Sequence, residues 1–228
     1  ELGPPSPIPR QVFGIGLNYR DHTAESGMAE PSVPLTFTKF PSCLAGPTAD
    51  IPLSGTTVDW EVEIVAVLGQ EASHVAPEDA WEAIAGLTLG QDISDRTVQF
   101  SDQPPQFSLG KSFPAYGPIG PAIVSVDSLD DPDAVALWCE VDGERMQEGT
   151  TSDLIFSIPT IVAHLSSICT LYPGDLIFTG TPSGVGMARG RFLAPGELLT
   201  SGATGIGELA NPRSGGSLIV AVSVPGVT

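Results

Sequence analysis

The 228-residue sequence predicts an α+β fold with a mainly β core. Three observations carry that reading. Segments rich in β-branched and aromatic residues outnumber segments with helical spacing. The 26 glycines and 22 prolines follow no repeat and cluster between those segments, as turns between short elements do. Strands and helices also fail to alternate as βαβ units would.

Along the chain, residues 1–11 are proline-rich and read as an extended lead, followed by a single domain over 12–228. VFGIGLN (12–18) reads as a strand, YRDHTAES (19–26) as a helix ending near Gly27, and LTFTKF (35–40) as an alternating strand. TVDWEVEIVAVLG (57–69) is the strongest strand, β-branched and stopped by glycine. APEDAWEAIAG (76–86) has proline near its start, acids in its first turn and a terminal glycine, which predicts a helix. LTLGQDIS (87–94) reads as a strand, and 107–126 as a loop leading into another. ALWCEVDGERMQEG (136–149) is a hairpin with Asp142-Gly143 in its turn. A helix over 158–169, a short strand and glycine-rich loop within 172–186, and strands over 197–212 and 217–224 complete the chain.

Charge narrows the function classes. Nine Lys and Arg oppose 27 Asp and Glu, a formal charge of −18. Such a surface repels phosphate backbones and anionic lipids, so neither nucleic acid nor membrane is expected as a partner. No apolar run approaches the ~20 residues of a membrane span. Cys43, Cys139 and Cys169 are widely spaced and odd in number. They read as free thiols in a reducing, cytoplasmic compartment. No signal peptide is read.

Five constellations carry potential chemistry. Glu61 and Glu63 in DWEVEIVAVLG share one face of a strand, with Asp59 before them. Paired acids on an apolar strand form either a solvated acidic face or a site for a hard divalent cation: Mg2+, Mn2+ or Ca2+. Asp92 follows another apolar strand, with Arg96 and Gln99 beyond it; it is a turn residue or a third carboxylate. His22 and Glu25 stand at i and i+3, either an exposed helical pair or an oriented general base. Lys111, one of only two lysines, lies in a Gly/Pro-rich loop and is an ordinary loop residue or a point charge for a developing oxyanion. TGTPSGVG (179–186) permits close backbone approach to a ligand but fits neither a Walker loop nor GxGxxG.

Together these residues resemble the fumarylacetoacetate hydrolase superfamily, in the short form of acylpyruvases and 2-hydroxyhepta-2,4-diene-1,7-dioate isomerases. The motifs occur in family order: GLNYRDHTAE (16–25), FTK (37–39), EVE (61–63), QDISDRTVQ (91–99), GKSFPAYGPIGP (110–121) and TGTPSGVG (179–186). The resemblance spans roughly residues 12–212 and implies a compact mixed β-roll with a few short helices, usually a homodimer. It implies metal-binding roles for Glu61, Glu63 and Asp92, with Mg2+ or Mn2+. It implies that His22 and Glu25 activate water and that Lys111 and Gln99 hold the water or stabilise an enolate. Arg96 and Thr181 would contact the substrate's carboxylate end, and Lys39 would lie near the pocket. The implied activity is metal-dependent cleavage of a C–C bond in an acylpyruvate-like 1,3-diketo acid through an enolate at the metal. Oxaloacetate-type decarboxylation, 2-oxo-dienoate isomerisation or hydration, and a non-enzymatic ligand-binding role are the alternatives. Two departures from the family pattern, Thr97 after Arg96 and Pro114-Ala115 after GKSF, bear on substrate identity.

Overall fold

The computed structural model describes residues 2–213. Strands dominate, and the first is β1 (Val12–Gly16), which stops where Leu17 takes φ 55°. Next come α1 (Arg20–Ser26), β2 (Leu35–Thr38) and the two-residue β3 (Leu44–Ala45). β4 (Val58–Asp59) and β5 (Val62–Leu68) follow, then β6 (Ile84–Gln91) and β7 (Ser94–Asp95). Two single-turn helices, α2 (Arg96–Gln99) and α3 (Phe107–Gly110), lead to β8 (Gly117–Val124). The hairpin of β9 (Ala136–Val141) and β10 (Glu144–Thr150) precedes α4 (Ile158–Ser166) and β11 (Leu176–Phe178). The single turn α5 (Gly186–Arg189) and the hairpin of β12 (Leu198–Ala203) and β13 (Gly207–Pro212) complete the described chain.

A seven-stranded mixed sheet runs β2-β1-β11-β5-β6-β8-β3, and a four-stranded sheet runs β10-β9-β12-β13. β1 is parallel to β11 and β3 to β8; the other pairs are antiparallel. The two sheets are joined at β6 by Gln91, whose Nε2 donates to Ser201 Oγ at 2.8 Å. This is the mainly β, α+β roll that the sequence predicts. β5 is buried along its whole length, which is why VEIVAVL reads as a near-continuous apolar run. The Asp142-Gly143 turn takes φ 51° and 79°, the left-handed pair that a two-residue hairpin requires.

Three elements differ from the sequence reading. The 57–69 strand is two strands. Asp59 Oδ1 accepts the Trp60 N–H, and Trp60 Nε1 donates to Gly184 O, so the chain turns out of β4 before entering β5. The helix expected over 76–86 is a 3-10 segment, Pro77–Ala83, and β6 begins at Ile84. Gly86 is not a helix stop. It lies inside β6, where a Cβ would meet Val124 O at 2.2 Å. The 197–212 strand is a hairpin, and the strand expected over 217–224 lies outside the described residues. The 158–169 helix forms as α4, with Ser157 as N-cap and Pro159 in its first turn.

The topology gathers one end of the sheet. β5 starts where β6, β11 and β1 finish, because β5 is antiparallel to β6 and β11 while β1 runs with β11. The residues just beyond those four strand ends therefore meet.

Candidate active site

Those strand ends frame a cavity of about 200 Å3. β5 and the residue before it supply Glu61 and Glu63; the end of β6 supplies Asp92. α2 contributes Arg96 and Gln99, the turn after α3 contributes Lys111, and the loop after β11 contributes Thr181. α1 lays His22 and Glu25 across the opening. Nine of the ten residues to which the resemblance gives roles line this one cavity; Lys39 does not.

Glu61, Glu63 and Asp92 are buried, and one carboxylate oxygen from each lies within 4.8 Å of the others. Two cations sit against them. Lys111 Nζ reaches Glu61 Oε2 at 2.6 Å, Asp92 Oδ2 at 2.7 Å and Ser94 Oγ at 2.8 Å. Arg96 Nη2 reaches Glu61 Oε1 at 2.6 Å. Burial alone would push the Glu61 carboxyl up, but Lys111 and Arg96 together hold it below the usual carboxylate range. The carboxylates raise Lys111 in turn, against the effect of its burial.

Glu63 is different. It has no ion-pair partner among the described residues and accepts the Gly180 N–H at 2.8 Å. Burial, then Asp92 and Glu61, push its carboxyl well above the ordinary value. A buried acid in that position lacks a positive charge. Three carboxylate oxygens this close to one another are the ligand type of a hard divalent cation such as Mg2+ or Mn2+.

The glycine-rich loop serves both walls of the cavity. Gly180 has φ 107°, and a Cβ there would meet Asn18 Cβ at 2.7 Å, so only glycine brings its N–H onto Glu63. Gly184 N–H donates to both oxygens of Glu25, at 2.9 and 3.0 Å, while Asp21 accepts the Ser183 N–H and hydroxyl. Glu25 is thereby held against His22, whose Nδ1 lies 3.3 Å from Glu25 Oε2. The side chains are 13% and 21% exposed, so the pair faces solvent at the mouth of the site rather than standing free on a helix surface.

Lys39 is not beside the substrate space: its Nζ is buried behind Asp92, bonded to Asp92 Oδ1, Lys111 O and Tyr116 O. It neutralises a site carboxylate from below. Arg96 lines the cavity, but its donors are largely engaged. Nε bonds Asp59 Oδ2 at 2.8 Å, Nη2 bonds Asp59 and Glu61, and Nη1 bonds Gln99 Oε1 at 2.8 Å. Gln99 is thus turned with its NH2 group away from Arg96. Thr181 donates its hydroxyl proton to Val62 O and accepts from Gln147 Nε2, which leaves the hydroxyl no second proton to donate. Finally, Thr97 and Pro114-Ala115, the two departures from the family pattern, are outside the cavity lining.

Several residues that support the site receive no role from the sequence, although Asp59 is read beside Glu61 and Glu63. Asp59 collects Arg96, the Trp60 N–H, and the Gly186 and Met187 N–H groups at 2.6 and 3.0 Å. Gln147 reaches across from β10, at a register shift, to accept the Val62 N–H at 2.9 Å and to hold Thr181. Asn18 ties the Thr179 carbonyl to the 156 backbone. Among the described residues, no helix is long and apolar enough to cross a membrane.

Comparison with known proteins places this geometry among relatives. Residues 11–212 match the family model for the fumarylacetoacetate (FAA) hydrolase C-terminal domain. A crystal structure from Mycobacterium smegmatis, of a protein named as HpcE, is 50% identical, with a TM-score of 0.91 over 93% of this chain and 77% of that one. The 5-carboxymethyl-2-hydroxymuconate delta-isomerase of the same organism is 35% identical, with a TM-score of 0.80 over 91% and 79%. Fumarylpyruvate hydrolase from Pseudomonas aeruginosa, crystallised with Mn2+ and pyruvate, is 30% identical, with a TM-score of 0.82 over 90% and 89%.

Proposed function

Because the chain belongs to the fumarylacetoacetate hydrolase family, a family of hydrolases and isomerases, we propose that it is a divalent-metal-dependent hydrolase. Its substrate is a 1,3-diketo acid of the acylpyruvate kind, cleaved at a C–C bond. The observation that carries this reading is one cavity with two walls. A buried cluster of three carboxylates, of which Glu63 has no ion-pair partner among the described residues, forms one wall, and a His22–Glu25 pair, itself anchored by Gly184, forms the other.

A Mg2+ or Mn2+ ion held by Glu61, Glu63 and Asp92 would supply Lewis-acid polarisation of the substrate. The rest of the chemistry belongs to the chain. Glu25 occupies His22 Nδ1 and leaves Nε2 to take a proton from water. The hydroxide so formed attacks the distal carbonyl carbon. The C–C bond then breaks, its electron pair passes to the pyruvyl fragment as an enolate, the acyl fragment leaves as a carboxylic acid carrying the hydroxide oxygen, and the proton held on His22 Nε2 returns to the enolate carbon to complete pyruvate. Lys111 places a fixed positive charge beside that enolate. Gln99, oriented by Arg96, directs its NH2 donors to a substrate oxygen or the water. Arg96 acts chiefly by positioning Gln99 and Glu61, and Lys39 by neutralising Asp92. A homodimer in the cytoplasm belongs to the same proposal, and light scattering in solution tests the dimer.

A second reading is favoured by the 35% identity to a delta-isomerase. There the base would move a proton between carbons and no water would be consumed. Decarboxylation of oxaloacetate would need no attacking water either. Metal-stripped protein is incubated with acetylpyruvate and with oxaloacetate, with and without Mg2+ or Mn2+, and pyruvate release is followed. The expected result is metal-dependent cleavage of acetylpyruvate, lowered at least a hundredfold in His22→Ala. Turnover of oxaloacetate alone, or full acetylpyruvate cleavage by His22→Ala, overturns the proposal.

A further inference from the structure

We propose that the acyl end of the substrate is uncharged and apolar, an alkyl or aryl acylpyruvate rather than one ending in a second carboxylate. The inference rests on the C–C hydrolase reading above and specifies the substrate class of that site. Away from the carboxylate cluster the cavity wall is built from Phe37, Phe100 and Phe107. Phe107 stands edge-on to both others, with ring centroids 5.8 Å from Phe37 and 6.3 Å from Phe100. That wall begins beside the cluster, where Lys111 Nζ lies 5.2 Å from the Phe37 ring centroid. A substrate anchored at the cluster therefore lays its far end along aromatic carbon. Toward the mouth the lining continues as Met28 and Met187, 46% and 42% exposed, a soft apolar rim that accommodates chains of different length.

A terminal carboxylate would find no counter-charge there. Arg96 and Lys111 are the only Lys or Arg residues that line the cavity, and Asp59, Glu61 and Asp92 already hold their head groups. The remaining basic group, His22, is paired with Glu25. The chain's other seven Lys and Arg residues lie outside the lining, and residues 214–228 contain neither type. A second carboxylate would thus lie against Phe carbon or the Met rim without a counter-charge, next to Glu25 and inside a chain of charge −18.

The test has two arms. In the first, kcat/KM with Mn2+ is measured for acetyl-, butanoyl-, hexanoyl- and fumarylpyruvate. The expected result is a rise of about fourfold per buried methylene, with fumarylpyruvate at least tenfold below hexanoylpyruvate. Fumarylpyruvate equal to or better than hexanoylpyruvate overturns the inference. In the second, binding of 2-oxohexanoate and 2-oxoadipate, which differ at the terminal carbon, is compared by calorimetry with Mn2+ present. Preference for 2-oxohexanoate of tenfold or more is expected, and equal or reversed affinity overturns the inference. Met187→Lys, at the exposed rim, is expected to shift that ratio toward 2-oxoadipate at least threefold; an unchanged ratio overturns placement of the acyl end at this wall. If no diketo acid is cleaved, the hydrolase reading fails, and the binding arm still decides the apolar end by itself.

Discussion

Replacing Asp59 by alanine removes the residue that locks the carboxylate wall to the glycine-rich loop. Its carboxylate is fully buried and bonds Arg96 Nε and Nη2 together with the Trp60, Gly186 and Met187 N–H groups. Truncation leaves a buried guanidinium short of a partner and orphans three backbone donors. Breaking a buried ion pair from one side costs about 3–5 kcal/mol, and each orphaned donor adds about 1–3 kcal/mol before relaxation. The lower bound, about 3 kcal/mol, corresponds to a fall in Tm of roughly 6–12 °C for a chain of this length. Asp59→Asn keeps an acceptor and loses the charge, so it falls between. Thermal and urea unfolding of the three metal-free proteins, with midpoint and slope both recorded, measure the effect. If Asp59→Ala unfolds within about 1 kcal/mol of the parent, Asp59 is not the tie described here.

Gly180→Ala is expected to destabilise by more than about 1 kcal/mol and to weaken Mn2+ binding. It forces alanine into φ 107° and against Asn18, and so withdraws the N–H that holds Glu63; parent-like melting and Mn2+ affinity would contradict this. Thiol titration is expected to count one reactive cysteine in the native protein and three after denaturation. Cys169 is partly exposed, whereas Cys43 and Cys139 are buried, and burial pushes the Cys139 thiol up to about 12. Rapid reaction of Cys139 in the native state would contradict the packing.

Local chemistry made much of this molecule legible. The i, i+2 spacing of Glu61 and Glu63 places both acids in the cavity, and the Asp142-Gly143 turn forms where an Asp-Gly pair between alternating strands predicts it. Helical i, i+3 spacing likewise joins His22 to Glu25. What local pattern could not carry was contact across long sequence separations. The strand break at Trp60 depends on Gly184, 124 residues away, and the turn of Gln99 depends on how Arg96 is shared with Asp59. Lys39 could be placed near the pocket by motif, but its burial behind Asp92 follows from the backbone carbonyls of Lys111 and Tyr116. Gly86 misled for a physical reason: a glycine that ends a helix and one that lets two strands approach are the same letter.

Glu61, Glu63 and Asp92 are proposed to hold one divalent cation. Calorimetric titration of the metal-stripped protein with Mn2+ tests it, with Glu63→Gln as the companion, since glutamine retains an acceptor for the Gly180 N–H while removing the charge. One saturable site per chain is expected, weakened at least tenfold in Glu63→Gln with little change in Tm. Absence of saturable binding, or binding unchanged by Glu63→Gln, would contradict it.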